Sequence, residues 1–391
     1  MDPTRRSFLI GAGASTLSPV LSEAATASKM VEPLRSFKPG QVWHDTSGKP
    51  IFVHGGSIIE SGGIFYWYGE NKEHTLGNTG VWHWGVRCYS SSNLYDWDDM
   101  GVIIPPKPDD PDSPLNPSRF MDRPHILFNQ HTKKYVCWVK LMEKNGDQTR
   151  TVLTADALTG PYTLLRSGIR PLGMNAGDFD LVVSPDDGKG YMYFERVHTE
   201  LICADLTDDY TDFSGYYSTH FPRVRPPFVR EAPAHFFRDG KHYLATSGTT
   251  GYYPNPSEIA VADTFHGPWT TLGDLHPGDR SRTSFNSQIS SIFKHPSKRD
   301  LYIALADRWL PDLSGPTFDN GQDSRDVQSA FSKRFSRPPQ PLTPREQSIM
   351  TATADSRANT SLSRQVWLPI KFTASRPIIE WRDSWSLDEF A

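Results

Sequence analysis

Three acidic residues stand where a carboxylate is costly unless it is paired or used. Glu231 opens the stretch EAPAHFF, beside Arg230 and directly ahead of Ala232-Pro233 and the apolar pair Phe236-Phe237. Asp122 stands in FMDRPHILFN and Asp178 in NAGDFDLVVS, each again at the head of an apolar run. An ionised carboxylate without a partner is strongly disfavoured in an apolar interior. Pairing with the adjacent Arg230 or Arg123 would satisfy that need and nothing more. Carboxylates gathered in one site can do something further. Their surroundings push their proton affinities apart, so one keeps a proton to give and another is free to take one. Asp180 lies two residues beyond Asp178, on the same face of a strand, and competes with it for that role. Asp186 and Asp187 read as turn residues.

The elements around these residues repeat. Gly62-Gly63 precedes IFYWYGE, Thr132-Lys133-Lys134 precedes YVCWVK, and Asp187-Gly188-Lys189-Gly190 precedes YMYFER. Asp239-Gly240-Lys241 precedes HYLATSG, and Lys298-Arg299-Asp300 precedes LYIALADRW. Each of the first four aromatic-rich strands is followed by a second apolar strand, a polar stretch and another turn. The fifth is completed late, by QVWLPIKFTASRPIIEWRDSWSL. The units recur every ~50–70 residues, a period that signals a repeat array. Four antiparallel strands need about that length, and radial packing of such sheets protects their edges. The expected fold is therefore all-β, a five-bladed β-propeller. A β-sandwich gives no reason for five such modules, and a β-helix has much shorter repeats. The polar, Gly/Pro/Ser-rich segment 312–360 is expected as a long loop or insertion in the last blade.

In a propeller the innermost strand of each blade lines a central channel, so a polar residue there meets a pocket rather than a core. Asp122, Asp178 and Glu231 fall at comparable places in successive units. Successive blades would aim them at one pocket. Converging carboxylates in an aromatic-rich pocket suit glycoside hydrolysis, in which one acid protonates the leaving oxygen and another group activates water or stabilises charge. Aromatic residues are 12% of the 391, with 11 Trp and 15 Tyr, which suits aromatic-rich strands or sugar-stacking platforms alike. The 29 Gly and 32 Pro indicate many turns and few long helices.

The stretches RPHILFNQHTKKYVCW, DFDLVVSPDDGKGYMYF, REAPAHFFRDGKHYLATSGTTGYYPNP, FNSQIS and ADRW resemble glycoside hydrolase family 43, and within it the branch of exo-β-1,3-galactanases and β-galactofuranosidases. The resemblance runs from Trp43 to Trp385 and is most specific in the REAPA to YYPNP block. It implies an exo-acting, inverting hydrolase that releases galactose from galactan-type glycans. It also implies that Glu231 is the general acid and that Asp178 tunes and orients it. The family's usual base aspartate lies on the first inner strand, which here reads Phe52-Val53-His54-Gly55-Gly56-Ser57-Ile58, with glycines in its place. In the resembling branch a carboxylate before Arg-Pro on the second blade is the base candidate, and Asp122 fills that position, as an Asp where the branch often has Glu. Gln288 matches a glutamine near the sugar and the attacking water.

Arg123, Glu70, His54, Arg308 and Thr250 of SGTTGYYPNP are further candidates for binding substrate. His83 is another, although a lone His is more often structural. Asp307-Arg308 reads first as a buried ion pair. Arg230 is expected to point away from the channel, because neighbours alternate along a strand. An α-L-arabinofuranosidase and a sugar-binding propeller without catalysis are the competing readings.

The rest of the sequence narrows the partners. The chain has 41 basic and 45 acidic residues, a formal charge of −4 and no basic block, which argues against nucleic acid. Cys88, Cys137 and Cys203 have no close spacing, so buried free thiols are expected, with neither a disulfide framework nor a metal site. No cofactor is implied. Thr4-Arg5-Arg6-Ser7-Phe8-Leu9-Ile10 is a twin-arginine pattern, followed by a weakly apolar run to Leu21 and the cleavage candidate Ala25-Thr26-Ala27. Residues 1–27 are thus expected to be an export signal and residues 28–391 a single catalytic domain. That domain would be a periplasmic or secreted monomer with an oligo- or polysaccharide substrate and no membrane attachment.

Overall fold

The computed structural model describes residues 35–143, 145–374 and 376–391, so the expected export signal lies outside the described residues. The described chain contains five four-stranded antiparallel sheets. Blade one holds β1 (Val53–Ser61), β2 (Ile64–Asn71), β3 (Val86–Ser91) and β4 (Asp98–Ile104). Blade two holds β5 (Phe120–Asn129), β6 (Lys134–Met142), β7 (Gln148–Ala155) and β8 (Thr163–Ile169). Blade three holds β9 (Ala176–Val183), β10 (Gly190–Arg196), β11 (Glu200–Leu206) and β12 (Phe213–His220). Blade four holds β13 (Arg230–Arg238), β14 (Lys241–Gly248), β15 (Glu258–Ala262) and β16 (Thr270–Asp274). Blade five holds β17 (Gln288–Lys294), β18 (Tyr302–Arg308), β19 (Arg364–Phe372) and β20 (Pro377–Ile379). The first strands pack side by side in the order β1, β5, β9, β13, β17 and back to β1. That closed ring is the five-bladed propeller the repeats predict.

Apolar side chains fill the spaces between blades. Val136, Trp138, Phe179 and Phe194 belong to one cluster spanning blades two and three, and Tyr68, Met121, Ile126 and Cys137 to another spanning blades one and two. The largest cluster joins blades four, five and one and includes Phe37 and Trp385. Phe37 and Trp385 exchange backbone hydrogen bonds at 2.8 and 3.1 Å, and their rings stack with centroids 4.4 Å apart. Trp67, Trp97 and Trp367 pack edge-on beneath them. Much of the aromatic content therefore closes the ring rather than contacting a ligand. The three cysteines are buried and free.

The segment between β18 and β19 is an insertion in blade five, but not a loop. It contains α1 (Pro316–Asp319), α2 (Gln322–Arg334) and α3 (Pro344–Ala352). Thr343 and Glu346 form a reciprocal capping box that starts α3, a device that satisfies two otherwise unpaired backbone donors. Lys333 of α2 pairs with Glu346 at 2.7 Å, and Val327, Ala330 and Met350 pack with Tyr253 of the β14–β15 loop.

Candidate active site

The inner strands carry their polar residues on one repeated local device. Residue pairing slips between His54 and Ser57 in β1, between Asp122 and His125 in β5, and between Glu231 and Ala234 in β13. The residue just after the first of each pair has a left-handed backbone: Gly55 at φ 63°, Arg123 at φ 50° and Ala232 at φ 48°. Such bulges turn a strand and re-aim a side chain. Holding a non-glycine residue there costs about 1–3 kcal/mol, a cost typically met at functional sites. His54, Asp122 and Glu231 are thus equivalent positions on three blades. Opposite them in register stand Glu70, Lys140 and Ser247, and Gln288 of blade five faces Asp307.

At one end of the ring lies a cavity of about 250 Å³, lined by Glu70, Asp122, Arg123, Lys140, Asp178, Glu195, Glu231 and Gln288 among others. This is near the lower end of small-molecule pockets, about 300–1,000 Å³. A larger groove, about 1170 Å³, lies over the outer turns of blades two and three and includes none of these residues.

An unbroken chain of contacts crosses the pocket floor. Trp82 Nε1 donates to Asp122 Oδ1 at 2.6 Å, and the Lys140 ammonium lies 3.0 Å from Asp122 Oδ2 and 2.8 Å from Asp178 Oδ1. Arg123 Nε is 2.9 Å from Asp178 Oδ2, and Arg123 Nη2 donates to Gln288 Oε1 at 2.7 Å. Gln288 Nε2 donates to Ser247 Oγ at 3.0 Å and to Glu231 Oε1 at 3.4 Å. Arg123 Nη1 is buried without a hydrogen-bond partner. It is a donor left over for a ligand, since leaving one unsatisfied costs about 1–3 kcal/mol.

The carboxylates differ in state. Burial and the nearby charges of Asp178 and Glu195 raise the proton affinity of Glu231 well above the ordinary range, outweighing the opposing pull of Lys140 and Arg123. Burial acts to raise that of Asp178 as well. There the Arg123 guanidinium and Lys140 ammonium prevail and hold it well below the ordinary range. Glu70 is raised by burial, against the pull of Lys72 at 2.7 Å. Glu231 is therefore biased toward holding its proton and Asp178 toward staying ionised, the arrangement that keeps an acid ready for donation. Asp180 differs from Asp178 in its partners and position. It is buried, accepts the His235 backbone N–H at 2.7 Å and does not line the pocket.

Of the nine residues expected at the site, Asp122, Asp178, Glu231, Gln288, Arg123 and Glu70 come together there, and His54, Thr250 and Arg308 do not line it. His54 Nδ1 lies 2.8 Å from Asp307 Oδ1, and Gly55 N–H donates to Asp307 Oδ2. Thr250 donates to the Tyr253 carbonyl and accepts from Asn255, within its own loop. Arg308 donates to the carbonyls of Phe285 and Asn286 and lies over Trp381. Asp307 and Arg308 consequently form no ion pair with each other. His83 is also structural, bonded to Gly85 N–H and the Asn116 carbonyl. Arg230 does turn away from Glu231, donating to the Thr246 side chain and carbonyl.

The two glycines of β1 are closely packed against β2. A Cβ at Gly55 would overlap Glu70 Oε1, and one at Gly56 would overlap the Tyr68 carbonyl. The residues that sequence reasoning missed are Lys140, Glu195 with its partner His198, and the aromatic walls. Gly177 makes room for Glu195, because a Cβ there would overlap Glu195 Oε2. Trp82, Tyr252 and Trp309 form one wall, with Trp82 and Tyr252 stacked at 5.6 Å, and Phe331 and Phe335 of the insertion form another. Among the described residues no group of three or more His, Cys, Asp and Glu side chains is arranged to hold a metal ion.

A five-bladed propeller with this carboxylate pocket at one end of its ring is a glycoside hydrolase. The sequence profile described as Glycosyl hydrolases family 43 matches residues 49–313, and the chain belongs to that family. No curated protein matches it. Among solved structures, the family 43 β-1,3-galactosidase BT0265 is 27% identical with a TM-score of 0.70, over 91% of this chain and 64% of that one. The chain therefore spans less than two thirds of BT0265. The β-1,3-galactosidase BT3683, solved with galactodeoxynojirimycin, is 26% identical with a TM-score of 0.70, over 90% of this chain and 100% of that one. The exo-β-1,3-galactanase of Phanerochaete chrysosporium, solved with galactose, is 25% identical with a TM-score of 0.69, over 90% of this chain and 68% of that one.

Proposed function

We propose that the protein is an exo-acting, inverting β-galactosidase that releases galactose from the non-reducing end of β-1,3-linked galactan. The observation that carries this reading is the gathering of Glu231, Asp122 and Asp178 in one pocket of single-sugar scale, where the proton affinity of Glu231 is raised and that of Asp178 lowered. Binding alone has no use for such a split, which argues against a lectin-like role. The solved structures that resemble the chain over nine tenths of its length are named for β-1,3-galactan chemistry, and this supports galactose over arabinofuranose as the sugar.

In the proposed reaction Glu231 gives its proton to the glycosidic oxygen as that bond breaks. Asp122, held by Trp82 and Lys140, takes a proton from a water that attacks the opposite face of the sugar. Gln288 and the free Arg123 Nη1 hold sugar hydroxyls or the water in line. Asp178 stays ionised and keeps Glu231 protonated between turnovers. The Arg5-Arg6 leader would place this activity outside the cytoplasm.

A side-by-side assay tests the substrate. Galactose should appear from β-1,3-galactan and from nitrophenyl β-galactopyranoside. Turnover confined to the β-galactofuranoside or the α-L-arabinofuranoside would replace the proposed sugar.

A further inference from the structure

The mechanism leaves one wall of the pocket unused. Phe331 and Phe335 stand four residues apart at the end of α2, a spacing that brings side chains onto one helix face. Their rings are nearly parallel, 12° apart, with centroids separated by 6.2 Å. Both line the pocket, and Phe335 is 39% exposed. The helix that presents them is anchored at several points. Arg225 donates to the Ser332 carbonyl and hydroxyl at 3.1 and 3.2 Å, Ser324 donates to the Arg282 carbonyl, and Val327 and Ala330 are buried against Tyr253 and Met350. A rigid helix thus holds an apolar surface open to water at the mouth of a polar cavity.

The contacts show which side of the reaction this surface serves. Phe335 meets the His198 ring edge-on at 5.3 Å, His198 Nδ1 is 2.8 Å from Glu195 Oε1, and Glu195 stands on β10, which packs against β13, the strand that carries Glu231. Phe335 is therefore reached from the Glu231 side. The other aromatic wall is reached from Asp122, through Trp82. An acid stands beside the departing oxygen, and water attacks from the other face. We infer that Phe331 and Phe335 form the subsite for the departing sugar, stacking on its apolar face and setting the preference for a glycan over a simple galactoside. The family profile ends at residue 313, before α1 begins, so this subsite belongs to the part of the chain outside the shared match.

The inference rests on the galactosidase reading, and two substrates separate them. β-1,3-Galactobiose places a sugar on the platform, whereas β-galactosyl fluoride has a leaving group too small to reach it. In Phe335→Ala, kcat/KM on the disaccharide should fall about tenfold, mostly through KM, the scale of one lost aromatic contact. The fluoride should stay within about twofold, since its reaction never uses that contact. Phe335→Trp should restore the disaccharide value, and Phe331→Leu, which keeps the apolar packing beneath, should show the same substrate bias. Equal losses on both substrates, or no loss on the disaccharide, would overturn the subsite while leaving the galactosidase intact. A wild-type protein inactive on both would overturn the galactosidase reading and this one with it.

Discussion

Glu231→Gln is expected to lower hydrolysis of β-1,3-galactan by about 10³-fold, in the middle of the range for a positioned acid, while sparing a dinitrophenyl galactoside. The reason lies in the leaving groups. A sugar alkoxide does not depart without a proton, and dinitrophenolate does. Gln keeps the size of the side chain and its contact with Gln288, which is 3.4 Å away, so the pocket should retain its shape. The wild-type pH profile carries the same signature. Glu231 holds its proton to unusually high pH because it is buried beside Asp178 and Glu195. Activity on the glycan should fall only as pH rises through that elevated range, and activity on the activated substrate should not follow it. Equal losses on both substrates in Glu231→Gln would make this residue structural or sugar-binding, and the acid would lie elsewhere.

Asp122→Asn should behave differently. It removes the proton acceptor and preserves the outline of the side chain, and Lys140 keeps its contact with Asp178 at 2.8 Å. Water must be activated whatever the leaving group. Turnover on the glycan and on the activated aryl galactoside should therefore fall together, by about 10²-fold or more. A thermal melt close to wild type would show that the fold has survived. Rates near wild type on both would mean that Gln288 or a group of the substrate positions the water.

The positions of Asp122, Asp178 and Glu231 were legible because each opens an inner strand of a repeating unit, and a repeat places equivalent residues on one axis. The same logic extends one strand further. The second strand of each blade runs from an aromatic start to a polar end: Glu70, Lys140, Glu195, Ser247 and Asp307. Aligning those ends would have exposed Lys140 and Glu195, which appear singly as ordinary strand-terminal charges. His54, Thr250 and Arg308 lie outside the pocket lining for another reason. Their partners, Asp307, Tyr253 and the Phe285 carbonyl, are set by how blades and loops pack, which strand periodicity does not encode. The insertion hid its helices because few apolar residues mark α2, which is mostly polar, QDSRDVQSAFSKR. Its one clear signal was the Thr343 to Glu346 capping box. The aromatic count could not separate ring-closing Trp67, Trp97, Trp367 and Trp385 from pocket-lining Trp82 and Trp309.

The central claim is a single displacement by water, with Glu231 on one side of the sugar and a water-activating group on the other. Proton NMR of the first product released from β-1,3-galactobiose tests it most directly. The signal of α-galactose should appear first, ahead of its slow equilibration with the β anomer. Initial appearance of β-galactose would contradict the account, because retention requires a nucleophile bonded to the sugar.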